Sequence, residues 1–550
     1  MTARLIRKKI QRKNKINTLE SNWINRNFKY FINGTNDRNL ISLLKTAKLK
    51  QKQSYYRIKA NTYNYLTRNK IKAPKALSQV LTLKAQKNRK GSSKKKKTIH
   101  QQAVSKIRRS FSYPDRKLSK PEIKKEINSM ISFIKRNISR VDSEIISQKL
   151  IDTALFYSRR KFYQQARQMN NLSLNLNSKK SDKAHFGNIW SYIYPSELKK
   201  AHDYIKINRL NIEANNNSSS QLMFWTAYVL EQNKNIKQAN ILYSQTMKKH
   251  PLSYYAVLAS KFFKENNPEN KELQLNPFQP AYEYFEFLFD SNKINKELSN
   301  IVRKIKLWSQ VGSFDSAHRE LKRFHKISPA NYQSNPMSFK LLLAKILSES
   351  NYDLKAFQTL YRPIDKEEIG FNNLLLPILY PQKHIIELKN LTSKKDFDHL
   401  VVLSLIRQES AFNPRAQSGA GARGLMQLLP RTARGIKKKV TRDDLFIPEI
   451  NLEIGTQYFE KVYKRYNKNL VYTLAAYNAG PHRVDEWRTT SFHRNEMIFN
   501  IENIPFLETR KYVKLIYRNL FFYKLMLSND FIKDPSTPNK VFDVSWNYVK

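Results

Sequence analysis

The stretch LVVLSLIRQESAFNPRAQS (400–418) carries the pattern that decides how the C-terminal part of this chain folds and what it does. Leu400, Leu403 and Ile406 recur at a spacing typical of one face of an α-helix, and Glu409 continues that face. A carboxylate on the buried side of a helix is costly to ionise, so its pKa should rise towards neutrality. A general acid at physiological pH needs that property. The alternative, a salt-bridged glutamate at a helix end, is the commoner fate of a lone Glu and stays open on these residues alone.

No second acid accompanies Glu409 at short range, because residues 410–441 contain neither Asp nor Glu. Glycosidases usually employ two carboxylates, one as acid and one as nucleophile or base. A hydrolase built on this segment would therefore need another way to activate water.

Glycine is concentrated just after Glu409. The chain has 11 glycines, and six of them lie within residues 419–480: Gly419, Gly421, Gly424, Gly435, Gly455 and Gly480. Glycine allows unusual backbone angles and close approach of the backbone to other groups. A glycine-rich region in a glycine-poor chain predicts a binding site.

Four patterns occur in order along the C-terminal region: IRQESAFNPRAQS (406–418), GARGLMQLLPRTA (421–433), LAAYNAGPHRV (474–484) and IENIPFLETRKYV (501–513). Together they closely resemble the catalytic domain of the soluble lytic murein transglycosylase family, which has a lysozyme-like fold. The resemblance covers roughly residues 385–530. Upstream, the stretch HPLSYYAVLASKFF (250–263) also resembles that family.

The resemblance implies a peptidoglycan lyase in which Glu409 is the single catalytic acid and base. Glu409 would protonate the oxygen between N-acetylmuramic acid and N-acetylglucosamine. It would then remove the proton from the muramoyl C6 hydroxyl, which closes onto C1 to give a 1,6-anhydro ring. No water is consumed, and the intramolecular nucleophile gains from proximity.

The same resemblance implies a set of substrate-binding residues: Ser410, Met426, Gln427, Tyr477, Asn478 and Glu502. Each has a plainer alternative. Ser410 could orient Glu409 or be an ordinary helix serine, and Met426 could fill the core. Glu502 could be a solvated surface acid, and Tyr512, a weaker candidate, is equally explicable as a core residue.

The region before this domain is predicted to be helical. Ser119 can cap a helix that Pro121 and Glu122 open, and apolar residues then follow at helical spacing: Ile123, Ile127, Met130, Ile131 and Ile134. Two triplets share offsets typical of tetratricopeptide-like helix pairs: Ala239, Tyr243 and Pro251, then Ala317, Leu321 and Pro329. The predicted fold class is all-α, with an α-superhelix (a solenoid of helix pairs) over 114–380, a lysozyme-like catalytic domain over 381–530 and a tail over 531–550.

The N-terminal region is strongly basic. Residues 1–110 contain 31 lysines and arginines against two acids, Glu20 and Asp37, and this net charge of +29 is about half of the +56 of the whole chain. Residues 1–113 are predicted to be a largely disordered arm, because they show little hydrophobic periodicity and include the run KNRKGSSKKKKTIH (87–100). Such an arm attracts anionic envelope polymers or lipids, and no specific nucleic acid is expected. A bias towards lysine in AT-rich coding sequence explains the excess equally well.

The substrate implies a location in the periplasm or cell envelope, although the N-terminus shows no apolar segment typical of a secretory signal. No cofactor and no metal site is predicted, since the chain has no cysteine and no ligand spacing such as HExxH. Two rival functions remain. A muramidase would hydrolyse the same bond and leave a reducing end, whereas a basic envelope- or nucleic-acid-binding protein would carry an inactive domain.

Overall fold

The computed structural model describes residues 98–111, 119–176, 181–210, 218–267, 336–365 and 375–527 (without 493 and 495), with scattered residues between 300 and 323. Helices account for the regular structure of these residues, and their extended contacts are two isolated bridges, Gln417 to Arg423 and Arg423 to Leu428. The predicted all-α class is confirmed.

The first group of helices runs through the region predicted to be a superhelix. Neighbouring helices pack in pairs along the chain, α3 on α4, α7 on α8 and α10 on α11. Their bounds are α1 Ile99–Phe111, α2 Lys120–Arg136, α3 Ser143–Arg159, α4 Tyr163–Leu174, α5 Ser181–Ile193, α6 Leu198–Ile207, α7 Ser220–Gln232, α8 Ile236–Lys249, α9 Tyr254–Asn266, α10 Pro336–Glu349 and α11 Asp353–Asp365.

The second group forms the C-terminal domain, in which α14 and α20 pack against each other at the centre. Its helices are α12 Leu376–Leu379, α13 Ile385–Thr392, α14 His399–Glu409, α15 Pro430–Arg434, α16 Pro448–Arg465, α17 Leu470–Ala479, α18 Pro481–Thr490, α19 Met497–Asn503 and α20 Leu507–Met526.

Helix α2 begins as the sequence predicts. The Ser119 backbone N–H donates to Glu122 Oε2 at 2.8 Å, which satisfies one of the amides that a helix start leaves open. All five residues of the predicted apolar face are buried. The Ser119 prediction is confirmed.

Helix α1 lies inside the segment that was predicted to be a disordered arm. Ala103 and Ile107 are four residues apart and fully buried, and they join a core cluster with Ile123 and Ile127 of α2. Residues 99–111 are therefore part of the folded molecule, because this apolar pair at helical spacing packs against the buried face of α2. The rest of the predicted arm, residues 1–97, lies outside the described residues.

One continuous hydrophobic core links the two groups of helices. It contains Trp190 of α5 and Trp225 of α7 together with Phe499 of α19, whose ring stacks on Trp190 with centroids 5.5 Å apart. Burial of large aromatic side chains is among the strongest contributions to packing. The C-terminal domain therefore packs against the upstream helices through a shared core.

Other predictions fall partly outside the described residues. Ala239 and Tyr243 are buried on α8, but Ala317, Leu321 and Pro329 lie outside, so the repeat stays a prediction, as does the tail over 531–550. Among the described helices, none has both the length and the apolar character needed to cross a membrane.

Candidate active site

Glu409 is the last residue of α14, where that helix leaves the core. Asp398 caps the start of the helix by accepting from the Leu400 N–H at 2.9 Å, and Leu403 and Ile406 are fully buried. Glu409 itself is half-buried. The helix therefore carries its final side chain out of the protein interior. The half-buried residues around that side chain are called the groove below: Gln427, Tyr477 and Asn478.

The only hydrogen bond described for the Glu409 carboxylate comes from Tyr512 of α20, whose hydroxyl donates to Oε1 at 2.6 Å. Burial raises the pKa of Glu409 to about 7, while the Tyr512 hydrogen bond lowers it and the charge of Glu508 raises it. Among the described residues, no Lys or Arg forms an ion pair with Glu409. The alternative of a salt-bridged helix-end glutamate is therefore wrong, and Tyr512, the weaker candidate, contacts the carboxylate directly.

Tyr477 lies close to Glu409 on α17. Burial raises the pKa of its hydroxyl well above the usual value, and the charge of Glu409 raises it further. The hydroxyl donates to the Met426 carbonyl oxygen at 2.9 Å. Tyr477 therefore ties the glycine-rich loop to α17 beside the carboxylate.

The glycine-rich loop is held in an unusual backbone shape. Gly424 has φ +75°, and a Cβ added there would lie 2.0 Å from the Leu445 carbonyl oxygen. Gln427 has φ +48° although it is not glycine, a conformation that surrounding contacts must enforce. Its Nε2 donates to the Ala416 and Gly424 carbonyl oxygens, both at 3.0 Å. Gln427 thus closes the loop on itself at the groove.

Met426 is fully buried, and its side chain lies against Gly455 of α16, where an added Cβ would meet the Met426 sulfur at 2.2 Å. Its backbone N–H donates to Asn451 Oδ1 at 2.8 Å, and Asn451 Nδ2 donates to the Leu445 carbonyl oxygen at 2.8 Å. The Met426 side chain is thus a core residue of the loop, which leaves its backbone as the part near the groove. Its substrate contact stays a prediction.

Asn451 was missed by the sequence reasoning. A buried asparagine on a helix has no distinctive spacing, and its role depends on a loop more than twenty residues earlier.

Asn478 and Ser410 have contacts other than with Glu409. Asn478 Oδ1 accepts from the Thr509 hydroxyl at 2.6 Å, which leaves its amide nitrogen for other partners. The Ser410 hydroxyl donates to the Ile406 carbonyl oxygen at 3.2 Å. Ser410 therefore caps α14 and does not bond to the carboxylate it was predicted to orient.

Glu502 lies away from the groove, in the interior. Its side chain is 2% exposed, and its carboxylate accepts from Lys514 of α20 at 2.8 Å, with further donors from the upstream helices: Gln221, Trp225 and Tyr255. Burial alone would raise the pKa of Glu502, but the Lys514 ammonium, the Tyr255 hydroxyl and the Arg510 charge together hold that pKa below the usual range. The alternative of a solvated surface acid is wrong, and the carboxylate that was predicted to meet substrate is occupied by protein donors.

Arg407 supports the helix that carries Glu409. Its guanidinium donates to the Leu379 carbonyl oxygen at 2.7 Å, to Asn519 of α20 at 3.0 Å and to the Tyr361 hydroxyl of α11 at 2.9 Å. No group of three His, Asp or Glu side chains suited to a metal ion is found in the described ranges. The site thus consists of Glu409, a tyrosine donor and a loop that contacts from α16 and α17 hold in place, with Glu508 near enough for its charge to act on Glu409.

Known proteins are similar to this chain in sequence and in fold. Residues 388–500 match the family model described as Transglycosylase SLT domain. The C-terminal domain is similar to lytic transglycosylases. The soluble lytic murein transglycosylase of Escherichia coli (strain K12) is 38% identical over 147 residues, which are 26% of this chain and 23% of that protein. A putative soluble lytic murein transglycosylase of Haemophilus influenzae is 36% identical over 163 residues, or 29% of this chain and 27% of that protein.

The chain thus matches about a quarter of the length of these curated relatives. The structural likeness is wider. A solved structure of an inactive mutant of the lytic transglycosylase Slt from Pseudomonas aeruginosa covers 97% of this chain and 88% of its own, with a TM-score of 0.54 at 17% identity. At that identity the likeness shows the fold alone, and it confirms the predicted superhelix followed by a lysozyme-like domain.

Proposed function

We propose that this protein is a peptidoglycan lytic transglycosylase that cleaves the β-1,4 bond between N-acetylmuramic acid and N-acetylglucosamine. The observation that carries the proposal is Glu409: a half-buried carboxylate close to Tyr477, with a pKa of about 7 and Tyr512 as its hydrogen-bond donor. The similarity of residues 388–500 to the Transglycosylase SLT domain supports the choice of substrate. The location that follows is the periplasm or cell envelope.

A pKa near 7 lets one carboxyl group serve both halves of the reaction. Protonated Glu409 donates to the glycosidic oxygen as the bond breaks, and the resulting carboxylate accepts the proton of the C6 hydroxyl as the anhydro ring closes. Tyr512 stabilises the carboxylate formed between these steps. The charge of Glu508 raises the pKa of Glu409, so a second carboxylate lies within electrostatic reach. The choice of the internal C6 nucleophile over activated water therefore rests on the similarity to the Transglycosylase SLT domain.

Ser410, Met426, Gln427, Tyr477 and Asn478 stand as proposed substrate-binding residues around this acid. Gln427, Tyr477 and Asn478 are half-buried, so part of each residue is accessible to a substrate. Ser410 and Met426 are buried, and their contribution is to hold the helix end and the loop.

The test is Glu409→Gln on purified sacculi. This nearly isosteric change removes the transferable proton, so turnover should fall by about two orders of magnitude or more while sacculus binding persists. Mass spectrometry of the wild-type products should show anhydro-muramic acid ends. A wild type that leaves reducing ends would be a muramidase, and a Glu409→Gln variant above roughly a tenth of wild-type activity would refute the role of this acid.

A further inference from the structure

Two adjoining cavities lie where the C-terminal domain meets the upstream helices. One has a volume of about 240 Å³ and the other of about 370 Å³. They share Asp152 and Leu155 of α3 and Leu507 and Arg510 of α20 as lining residues. Glu409, Gln427, Tyr477 and Asn478 line neither of them. These cavities are therefore separate from the groove at Glu409.

The walls of both cavities are strongly cationic. Seven of the lining side chains are Lys or Arg, whereas Asp152 and Glu486 are the acids among them. Glu486 is already paired with Arg483 at 3.2 Å. Among the described lining residues, positively charged side chains therefore outnumber negatively charged ones.

Two of these cations are buried and lack a carboxylate partner among the described residues. Arg159 and Arg510 are 5% and 8% exposed. Arg159 donates to the Ile504 carbonyl oxygen at 3.2 Å, and Arg510 donates to the same oxygen at 2.9 Å. Burial and the neighbouring Arg510 charge lower the pKa of Arg159. Two guanidinium groups converge on one neutral oxygen, and the charges of Glu502 and Asp152 reach them without forming an ion pair, so burying these two cations together is costly.

Lys514 also lines the first cavity and lies close to these cations. It is paired with Glu502 at 2.8 Å, and such a partner ordinarily raises the pKa of an ammonium group. Burial and the Arg510 charge instead lower the pKa of Lys514 to about 8. Burial is the largest of these causes, and the Arg510 charge adds to it while Glu502 opposes both.

Three residues that line the cavities carry a buried polar atom with no hydrogen-bond partner. These atoms are Oγ of Ser158 and Oδ1 of Asn170, which line the first cavity, and Nε of Arg159, which lines the second. Ser158 is 3% exposed and Asn170 is 1% exposed. Buried polar groups nearly always have a partner, so a site with unused donors and acceptors is suited to a ligand that supplies the missing partners.

The remaining walls are apolar, with Leu155, Phe186 and Leu507 in the first cavity and Trp487 and Phe506 in the second. An inorganic anion would need only the cations. A ligand that carries carboxylates on an aliphatic and amide framework would use the cations, the unpartnered Ser158 and Asn170 atoms and the apolar walls together. Ligand cavities commonly combine an apolar lining with a few polar groups in this way.

We propose that these two cavities form a binding site for a short acidic peptide, whose carboxylates are held by Arg159 and Arg510 and whose backbone is read by Ser158 and Asn170. This site lies beyond the proposed glycan cleavage and does not depend on it. A peptide attached to a glycan and a free peptide present the same chemistry to it.

The test uses the full chain with Glu409→Gln, so that binding is measured without turnover. The probes are tetrapeptides containing two Ala, one Glu and one Leu in every arrangement, with free C-termini, and their fully amidated counterparts. In isothermal titration calorimetry the acidic members should bind, and amidation should weaken the best of them by about tenfold or more. No binding by any acidic member, or equal binding of its amidated form, would overturn the proposal.

Variants locate the site. Arg159→Gln should weaken binding about tenfold, and Lys511→Gln, which changes an exposed lining residue and spares the fold, about threefold. Lys461→Gln, an exposed lysine of α16 outside both cavities, is the matched control and should leave the affinity unchanged. Equal affinity in all three variants would contradict the assignment, and so would inorganic phosphate binding as tightly as the peptides. Peptide binding by a chain whose wild-type form cleaves no glycan would refute the proposed function and leave this binding site unaffected.

Discussion

At the scale of single residues, the phenolic hydroxyl of Tyr512 governs how readily Glu409 gives up its proton. The hydrogen bond stabilises the ionised carboxylate and so lowers the Glu409 pKa, against the larger effect of burial. Position 512 is therefore a positioning and tuning residue, which the sequence pattern alone could not separate from a core tyrosine.

Removing that hydroxyl has a signed consequence. In Tyr512→Phe the pKa of Glu409 should rise further above about 7, so the acid stays protonated to higher pH. The decrease of kcat/KM at alkaline pH should shift upward by about 0.5–1 pH unit. The value of kcat should drop, because the Glu409 carboxylate loses the hydroxyl group that positions it to accept the C6 proton.

The matched control is Tyr517→Phe on the same helix, because the Tyr517 hydroxyl is buried without a hydrogen-bond partner. Its pH profile should be that of the wild type. A Tyr512→Phe profile that coincides with the wild type would show that the hydrogen bond does not tune the acid.

At the scale of elements, the contact between α16 and the glycine-rich loop depends on the missing side chain at position 455. An added Cβ there would lie 2.2 Å from the Met426 sulfur and 3.0 Å from its Cβ. Gly455→Ala should therefore displace the loop and lower the free energy of unfolding by about 1–3 kcal/mol, with loss of activity as Tyr477 and Met426 separate.

Gly419→Ala is the comparison, since a Cβ at 419 meets nothing within 4 Å. Chemical denaturation and sacculus cleavage, measured on both variants, should show a large change only for Gly455→Ala. Equal stability of the two would mean that Met426 has room to move aside.

Elements also mark how far the sequence could predict this structure. Helices α2 and α14 follow from local signals, a cap at Ser119 for α2 and apolar residues at helical spacing for both, and Glu409 falls where that spacing places it. The partners of Glu502 and Arg407 could not be predicted, because they are contributed by residues far along the chain, such as Tyr255 and Tyr361. Side-chain contacts between distant segments leave no periodic trace in either segment.

At the scale of the whole molecule, two truncations test the predicted disordered arm. That prediction implies that deleting residues 1–97 leaves the thermal stability unchanged. Deleting 1–113 also removes the buried Ala103 and Ile107 and should cost about 2–4 kcal/mol of unfolding free energy. Both should lose binding to anionic vesicles, which in the full chain should weaken steeply as salt rises. Vesicle binding that is indifferent to salt, or retained without the arm, would contradict a generic electrostatic role.

The buried carboxylate of Glu502 has a further consequence for how the molecule comes apart. Its donors are drawn from α7 and α9 on one side and α20 on the other, so separating the two groups of helices would strand a charge in a half-opened interior, where it is costly. The shared aromatic core at Trp190 and Phe499 raises that cost. We therefore expect heating to melt both groups in one cooperative transition, a single calorimetric peak, and not as two domains in succession.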